Sequence, residues 1–366
     1  MASVKLDGNA DAVEFCSTPP YFDVLAAATY TLQEESTEKA ASRVGTLSLF
    51  SLLCDSDLQL RETHLLRTSG ILDIKWRPYP CPFSQPMLAQ ASADGSLVLY
   101  DLQVLDSYYL KEVMKGGISS SMCLSLDWDA LSGQQVSISH SDGALSVVDV
   151  RESDIEVLEQ RENAHDFGAW CIEYDTWRPG ILYSGGDDCH FCAWDIRQGL
   201  SQPIFREKRA HSMGVCSIQS NPLNEHLLVT GSYDEKLRLW DTRILKQPIM
   251  EKDLGLGGGV WKVKWNPFHK DLLLAACMHN GFMVVRVKDH EFCVVMEYKK
   301  HASLAYGVDW FKGLQEGTAT ESVHNNAMLM TEKSSCVEHH VSTLPLVASC
   351  SFYDRSLHIW NVDIHL

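Results

Sequence analysis

The chain has 366 residues, 45% of them hydrophobic, and a formal net charge of −17 at pH 7. That hydrophobic content suffices for a large core, whereas the acidic balance argues against binding to nucleic-acid phosphates, which requires lysine and arginine. No apolar run reaches membrane-spanning length and residues 1–11 lack a signal-peptide pattern, so we expect neither a membrane span nor a secretory leader. The 12 cysteines show no spacing framework, which is typical of free thiols in a reducing compartment and predicts a cytoplasmic protein.

The first part of the chain contains three short apolar segments, at 13–15, 24–29 and 45–50, which resemble a degenerate copy of units that follow. Residues 33–43 interrupt them and are rich in Glu, Ser and Ala, so we predict a solvated loop there. Later units are better formed. The clearest spans 211–243, with predicted strands at 215–219, 227–230 and 237–240, and it cannot bury both faces of its sheet without neighbours.

The units recur at a regular spacing, which one polar turn residue in each of them marks. These residues are Asp94, Asp142, Asp188, Asp234, Asn280 and Asp354. The four from Asp142 to Asn280 are spaced by 46 residues. The final gap is longer because residues 311–343, polar and aperiodic, are inserted into the last unit, and we predict a flexible loop there.

This pattern resembles the WD-repeat β-propeller family. Two copies place a histidine 29 residues before a Trp-Asp pair, as in His165 with Trp194-Asp195 and His211 with Trp240-Asp241. The resemblance implies an all-β, seven-bladed WD-repeat β-propeller as a single domain over 1–366, with insertions at 33–43 and 311–343. It implies that residues 4–7 supply the outer strand of the blade that ends in Trp360. It also implies that both histidines are structural, each hydrogen-bonded through Ser or Thr to the turn Asp and the Trp.

The sequence lacks the Gly-x-Ser-x-Gly elbow, the His-Glu-x-x-His zinc helix and the Walker phosphate loop. Cys189 and Cys192 have metal-like spacing, but residues three apart in a strand point to opposite faces and no second pair exists, so we expect no metal and no cofactor. The glycine-rich run 255–259 favours a tight entry turn. Alternatively, free N–H groups in this run could bind an oxyanion near the channel.

Several strings exceed the general repeat pattern and are similar to the diphthine methyl ester hydrolase family of the diphthamide pathway. Among them are Leu272-Leu-Leu-Ala-Ala-Cys-Met-His279 and Ala348-Ser-Cys-Ser-Phe-Tyr-Asp354. The resemblance is best over about 165–360. It implies removal of the methyl ester from methylated diphthine, a modified histidine of translation elongation factor 2, which would be the protein partner. Diphthine carries a trimethylammonium group, which favours aromatic faces and acidic surroundings.

In WD-repeat proteins the residue before each turn Asp faces the upper surface near the channel mouth. Here that position gives Asp187, Tyr233, His279 and Tyr353 in successive blades, while Trp170, Trp261 and Tyr306 begin inner strands. We predict His279 as the base, with Asp187 orienting it or holding the cation, and Tyr233, Tyr353 and Trp261 as the aromatic wall. The amides of Gly257, Gly258 and Gly259 are the oxyanion candidates. Cys277 and Cys350 are expected in the core, which favours attack by water.

Two other classes of function stay open. Arg197 and Arg243 complete Trp-Asp-x-Arg strings, the pattern of substrate receptors in cullin-4 ubiquitin ligases, so the chain could be a binding adaptor. It could also be a non-catalytic scaffold that presents the elongation factor. Fold alone does not decide between these functions and catalysis.

Overall fold

The structure is a computed structural model that describes residues 1–34, 42–54, 57–80, 85–313 and 345–363. Seven antiparallel sheets form a ring, and the first strands of successive sheets contact each other around a central channel. The predicted seven-bladed β-propeller is therefore confirmed. No helix of the described residues is long and apolar enough to cross a membrane.

The blades are numbered in chain order and their strands run from the channel outwards. Blade 1 comprises Ala10–Phe15, Val24–Thr29, Ser42–Cys54 and Leu58–Ser69, with Thr31–Gln33 also paired to the third strand. Blades 2 and 3 comprise Ile71–Trp76, Met87–Ser92, Ser96–Val104 and Tyr108–Gly117, then Cys123–Trp128, Gln135–His140, Leu145–Val150 and Ile155–Arg161. Blades 4 and 5 comprise Ala169–Tyr174, Ile181–Gly186, Phe191–Asp195 and Phe205–Glu207, then Val215–Ser220, Leu227–Ser232, Lys236–Asp241 and Ile249–Gly255. Blades 6 and 7 comprise Lys262–Trp265, Leu272–Ala276, Phe282–Lys288 and Glu291–Tyr298, then Ala305–Trp310, Leu346–Ser351, Ser356–Asn361 and Ala2–Lys5. Two single 3-10 turns, Tyr21–Asp23 and Ile196–Gln198, complete the described elements.

The ring closes through its N-terminal strand, which pairs antiparallel with the third strand of blade 7. Ala2 lies opposite Ile359 and Lys5 opposite Ser356. Closure by the N-terminus was predicted for residues 4–7 and is confirmed, although the strand is Ala2–Lys5 and so both begins and ends two residues earlier. It leaves the third strand of blade 7 without an open edge, which would otherwise be available for aggregation.

The edges of the two predicted insertions belong to the ring. Gln33 pairs with Ser42 in a hairpin of blade 1, whereas 35–41 lie outside the described residues. The ring of Phe311 packs edge-on against Phe15 with centroids 5.4 Å apart. The Lys312 ammonium lies 3.1 Å from carboxylate oxygens of both Glu14 and Asp309. Residues 314–344 lie outside the described part of the chain.

The signature histidines stabilise their blades as predicted, with one difference. In blade 4, His165 contacts Asp188 through Nδ1 (2.9 Å) and Ser184 through Nε2 (2.8 Å), and Trp194 Nε1 donates to the same Ser184 hydroxyl. In blade 5, His211 likewise shares its hydroxyl partner with the tryptophan. There, however, the Asp234 carboxylate is bound by the guanidinium of Arg238, so His211 Nδ1 has no hydrogen-bond partner in the described residues. Trp194 and Trp240 are both buried.

Hydrogen bonds between adjacent inner strands hold the blades in register. The tryptophan that ends an inner strand donates its Nε1–H to a carbonyl oxygen of the preceding blade. The pairs are Trp76 to Glu14, Trp128 to Lys75, Trp265 to Gln219 and Trp310 to Lys264, at 2.9–3.2 Å. Each buried indole N–H thus has a hydrogen-bond partner, and the bond fixes the position of one blade relative to the preceding one along the channel wall.

Candidate active site

The upper face of the ring carries the turns between second and third strands, and every inner strand also begins there because the strands alternate in direction. Near this start, the ladders of blades 1 to 5 and 7 show a register shift that leaves extra residues unpaired. Such bulges change the direction in which side chains point and are frequent next to active sites. The residues at this level, called the upper ring below, are Asp11, Leu72, Leu124, Trp170, Cys216, Trp261 and Tyr306.

Aromatic side chains of the upper ring meet across the channel. Trp261 contacts Trp170 with centroids 5.4 Å apart and stacks on Tyr306 at 4.7 Å. Tyr233, in the turn of blade 5, packs edge-on against Trp261 at 5.8 Å. All four rings are partly exposed, so the cluster presents π-faces to solvent at the channel mouth. Such faces attract cations, above all quaternary ammonium groups.

The same series of contacts extends towards blade 7 and blade 1. Tyr306 lies 4.9 Å from Phe352, which packs edge-on against Tyr353 at 5.0 Å and lies 6.4 Å from Tyr30. Tyr353 itself is 68% exposed. The predicted aromatic wall of Tyr233, Trp261 and Tyr353 therefore lies on one side of one mouth, with Tyr306 and Phe352 linking its members.

Asp11 is the acidic member of the upper ring, and sequence reasoning did not single it out. Its side chain is buried, and its Oδ1 atom has no hydrogen-bond partner in the described residues. Burial raises the pKa of this carboxyl to about 8, with the Asp73 carboxylate adding to the rise and Lys262 opposing it. A carboxyl group with a pKa near neutrality can both accept and donate a proton at physiological pH.

Below Asp11 the channel contains ion pairs that join opposite blades. Lys262 Nζ of blade 6 lies 3.1 Å from Asp73 Oδ1 of blade 2, although the two residues are far apart in sequence. A cavity of about 20 Å³ lies beside this ion pair and is lined by Asp11, Asp73, Trp261, Lys262, Lys264 and Gly307, among others. This volume accommodates one water molecule, and the charged lining offers it several hydrogen-bond partners.

The turn residues predicted for the site all lie on the upper face, because each occupies the turn between the second and third strands of its blade. The Asp187 side chain reaches the entry to blade 5, because its Oδ1 atom lies 2.8 Å from the position that a Cβ would occupy on Gly214. Burial, and secondarily the nearby Cys216, Asp187 and Asp11, raises the pKa of Tyr233. Asp187 and Asp11 therefore both lie close enough to Tyr233 to act on it electrostatically.

The structure does not connect the predicted base to its predicted orienting partner. His279 is exposed in the turn of blade 6 and makes no hydrogen bond, ion pair or ring contact with any described residue. Its neighbour Met278 is tied to blade 7, because Ala305 N–H donates to the Met278 carbonyl oxygen at 2.9 Å. His279 thus lies on the correct face without contacting Asp187, and its role as a base stays a prediction.

The glycine run enters blade 6 beside this turn. Gly257 has a positive φ of 72°, and a Cβ on Gly258 would lie 2.2 Å from the Cys277 carbonyl oxygen, so neither position accepts a side chain without strain. The N–H groups of Gly258 and Gly259 donate to no group of the described residues. This unpaired state is the one that an oxyanion-binding amide requires, and the assignment stays a prediction.

Three cysteines close to the mouth, Cys216, Cys277 and Cys350, lie in the core. Cys277, directly after the second strand of blade 6, and Cys350, within the second strand of blade 7, are fully buried, and burial raises the pKa of the Cys277 thiol to about 12. The pKa values of Cys350 and Cys216 are raised for the same reason. A thiol held in the protonated form is a poor nucleophile, so the site favours attack by water.

One group of the described residues has the spacing of metal ligands: Asp166, Asp188 and His190 on the rim of blade 4. The shared Asp188 carboxylate already accepts hydrogen bonds from His165 and from the Asp166 and His190 backbone N–H groups. These bonds lower its pKa, and they explain the ionised carboxylate without a metal. The group therefore has a structural role in the blade.

The two Trp-Asp-x-Arg strings lie on the lower face, opposite the aromatic mouth. Arg197 binds Asp195 through Nε at 2.8 Å, and Arg243 binds Asp241 through Nε at 2.6 Å. Both arginine side chains are nevertheless well exposed, at 62% and 69%. The strings occupy the same position in the adjacent blades 4 and 5, so the two guanidinium groups belong to one surface.

Comparison with known proteins agrees with this architecture. The family model "WD domain, G-beta repeat" matches residues 203–241. The chain is 38% identical to the diphthine methyltransferase of Mus musculus over 85% of its own length and 69% of that protein. It is 32% identical to the diphthine methyltransferase of Homo sapiens over 98% of both chains.

Among solved structures, a chain of the "Crystal Structure of Mitotic Checkpoint Complex" superposes with a TM-score of 0.68, covering 99% of this chain and 91% of that one. At 14% sequence identity this likeness concerns the fold alone. The near-complete coverage of the human relative at 32% identity goes further. The chain belongs to the WD-repeat family whose members carry the name diphthine methyltransferase.

Proposed function

We propose that this chain hydrolyses the methyl ester of methylated diphthine on translation elongation factor 2, releasing methanol and leaving diphthine for amidation to diphthamide. The names of its relatives support a role in diphthine chemistry. The observation that carries the proposal is the aromatic cluster around Trp261. It combines four ring faces with the acidic groups Asp11 and Asp187 at one mouth.

This mouth suits the trimethylammonium group of diphthine. A quaternary ammonium ion donates no hydrogen bond, so aromatic faces and nearby carboxylates are the groups that recognise it. The net charge of −17 adds a field that attracts a cationic substrate and speeds its encounter with the protein. The ester carbonyl of methylated diphthine lies a few bonds from the ammonium nitrogen. Binding of the trimethylammonium group would therefore place the carbonyl close to the upper ring.

The name of the relatives refers to methyl transfer, and hydrolysis differs from methyl transfer in the bond that breaks. Hydrolysis at the carbonyl breaks the acyl carbon–oxygen bond, whereas transfer of the methyl group breaks the methyl carbon–oxygen bond. Hydrolysis fits the buried carboxyl beside a cavity for one water, because proton transfer to and from water is what such a group performs.

The test is incubation of the purified chain with methylated diphthine on the elongation factor in water enriched in ¹⁸O. Carbonyl attack puts the label into the diphthine carboxylate and releases unlabelled methanol. Label in the methanol would instead indicate methyl transfer to water and would overturn the ester-cleavage mechanism. Absence of methanol with the folded chain would overturn the proposed function itself and would favour a non-catalytic scaffold.

A second function is favoured by the lower face. Arg197 and Arg243 are held by their own aspartates yet exposed, which suits docking to an adaptor protein of cullin-4 ubiquitin ligases. Co-purification of that adaptor with the wild-type chain, and its loss in the Arg197→Ala/Arg243→Ala double variant, would support the role. The double variant should keep full methanol release, because both arginines lie opposite the mouth. Equal recovery of the adaptor with both proteins would contradict it.

A further inference from the structure

We propose that Asp11 is the catalytic general base of this site and that it activates the water molecule which attacks the ester carbonyl. The inference rests on the proposed hydrolysis and adds the residue that carries its proton transfer. Asp11 lies on the bulge at the start of the first inner strand, at the level of Trp261 and Tyr306. It thus occupies the wall against which a bound substrate would lie.

The other carboxylates of the channel are already engaged in structural bonds. Glu14 accepts from the Trp76 N–H at 2.9 Å, Asp127 from the Tyr174 N–H at 2.9 Å, and Asp309 from the Phe15 N–H at 2.9 Å. Asp73 accepts from the Ser125 hydroxyl at 2.9 Å, and Glu173 from the Ser220 N–H at 3.3 Å.

Asp11 differs from this set. Among the described residues it alone of the channel carboxylates has a buried oxygen atom with no hydrogen-bond partner. An unpaired buried oxygen is costly for stability, so its retention at a channel mouth indicates a group kept for a ligand or a reactant.

Water is the reactant that the geometry fits. The cavity of about 20 Å³ beside Asp11 has room for one water molecule, and Lys262 and Asp73 line it as further polar partners. The ring of Trp261 forms part of its wall, so the cavity lies next to the cluster that would bind the trimethylammonium. A water molecule there would lie beside the Asp11 carboxylate and next to the cluster that would bind the substrate cation.

The reaction balances without any further group. The Asp11 carboxylate takes a proton from water while the water oxygen bonds to the ester carbonyl carbon, giving a tetrahedral oxyanion. Its collapse breaks the bond between that carbon and the methoxy oxygen, and the Asp11 carboxyl returns the proton to the methoxy oxygen. The products are methanol and the carboxylic acid, which loses its proton to solvent, so Asp11 ends as a carboxylate.

The environment of Asp11 sets the pH at which it can act. Burial raises its pKa to about 8, and the nearby Asp73 carboxylate raises it while Lys262 lowers it. A base must be deprotonated, so turnover should rise with pH and level off above about 8. The ionisable groups that act electrostatically with it are Asp73, Lys262, Tyr233, Tyr306 and Cys350.

The test is Asp11→Asn, which keeps the size of the side chain and removes the base. We expect kcat to fall by about 100-fold or more, the usual effect of losing a positioned base, while KM stays within about threefold. Asp11→Glu should restore part of kcat with a displaced pH profile. Asp175→Asn is the matched control, because Asp175 is a buried carboxyl on the lower face and its loss should leave kcat unchanged.

The outcomes separate the two proposals. If wild type releases methanol and Asp11→Asn does so with unchanged kcat, the inference is overturned and the function stands. A wild-type kcat independent of pH from 6 to 9 would likewise overturn the inference. If His279→Ala loses kcat while Asp11→Asn does not, the exposed histidine is the base. If wild type releases no methanol, the function fails before the role of Asp11 arises.

Discussion

Trp261 stacks on Tyr306 with ring centroids 4.7 Å apart and planes 23° apart, although the two residues belong to different blades. The same indole contacts Trp170 of blade 4 and Tyr233 of blade 5. One side chain thus joins four blades at the upper end of the channel. Since each of these rings is only partly buried, the contacts position the rings and leave surface for a ligand.

The first prediction concerns cation binding by this indole. Trp261→Ala should raise KM by about tenfold, because a cation–π contact in a partly desolvated site is worth about 1–2 kcal/mol. Trp261→Phe keeps a ring face and should raise KM less. Steady-state methanol release over a range of substrate concentrations gives the comparison.

Trp177→Ala is the matched control, because Trp177 is another partly exposed tryptophan but lies in a lower-face turn, where its Nε1 donates to the Asn221 carbonyl oxygen. Its KM should equal that of wild type. Equal KM values for Trp261→Ala and wild type would show that the cluster does not bind the substrate cation.

The second prediction concerns the blade core. Trp240 is 1% exposed and donates from Nε1 to the Thr230 hydroxyl at 3.0 Å. Trp240→Ala should lower the free energy of unfolding by about 3–5 kcal/mol, because it leaves a cavity and an unpaired hydroxyl. Urea unfolding followed by circular dichroism measures the change. A midpoint within error of wild type would contradict a core role.

The repeats made the fold predictable, whereas the bulges hid part of the site. Regular recurrence of turn residues such as Asp188 and Asp234 gave the number of blades, because every blade needs the same turn chemistry. Asp11 was not predicted as a site residue, because a bulge breaks the alternation of inward and outward side chains from which side-chain direction is inferred. The only available signal was a charge where Leu72 and Leu124 stand in the next two blades.

The residue at which the last insertion begins could not be predicted from the sequence either. Phe311 and Lys312 follow the end of an inner strand and precede polar residues, so their pattern resembles a loop. Their partners, Phe15 and Glu14, lie at the other end of the chain and meet them only when the ring closes. Long-range ion pairs of this kind produce no periodic pattern in the sequence.

The third prediction follows from Lys312. Its ammonium bridges Glu14 and Asp309, and both acids also accept backbone N–H bonds between blades. Lys312→Ala should lower the free energy of unfolding by about 3 kcal/mol or more, because it leaves two buried carboxylates short of a cation. The urea midpoint checks this.

Lys299→Ala serves as the control for Lys312→Ala. Lys299 pairs with Glu297 at the surface, where an ion pair contributes about 1 kcal/mol or less. Similar urea midpoints for the two lysine variants would argue that Lys312 is not part of the ring.

Because Phe311 and Lys312 pack against residues of the ring, a deletion of the insertion should begin after Gly313.

The fourth prediction concerns the cost of keeping Asp11. Its pKa is about 8 in the folded protein and near 3.8 in the unfolded chain, so between these values the folded state holds a proton that the unfolded state has lost. Wild-type stability attributable to this group therefore decreases as pH rises from about 4 to 8 and stays constant above. Asp11→Asn lacks this dependence, so its stability should increase relative to wild type between pH 5 and pH 8.

Asp234→Asn provides the opposite case, because Arg238 and backbone N–H groups lower the pKa of Asp234 to about 2. That variant should be less stable than wild type by a constant amount from pH 5 to pH 8, since both states are ionised there. Urea midpoints at the two pH values measure both differences. A group that destabilises the fold near neutral pH while supporting turnover is the expected signature of a functional residue. An Asp11→Asn difference that does not change with pH would show that the carboxyl is already ionised in the folded protein.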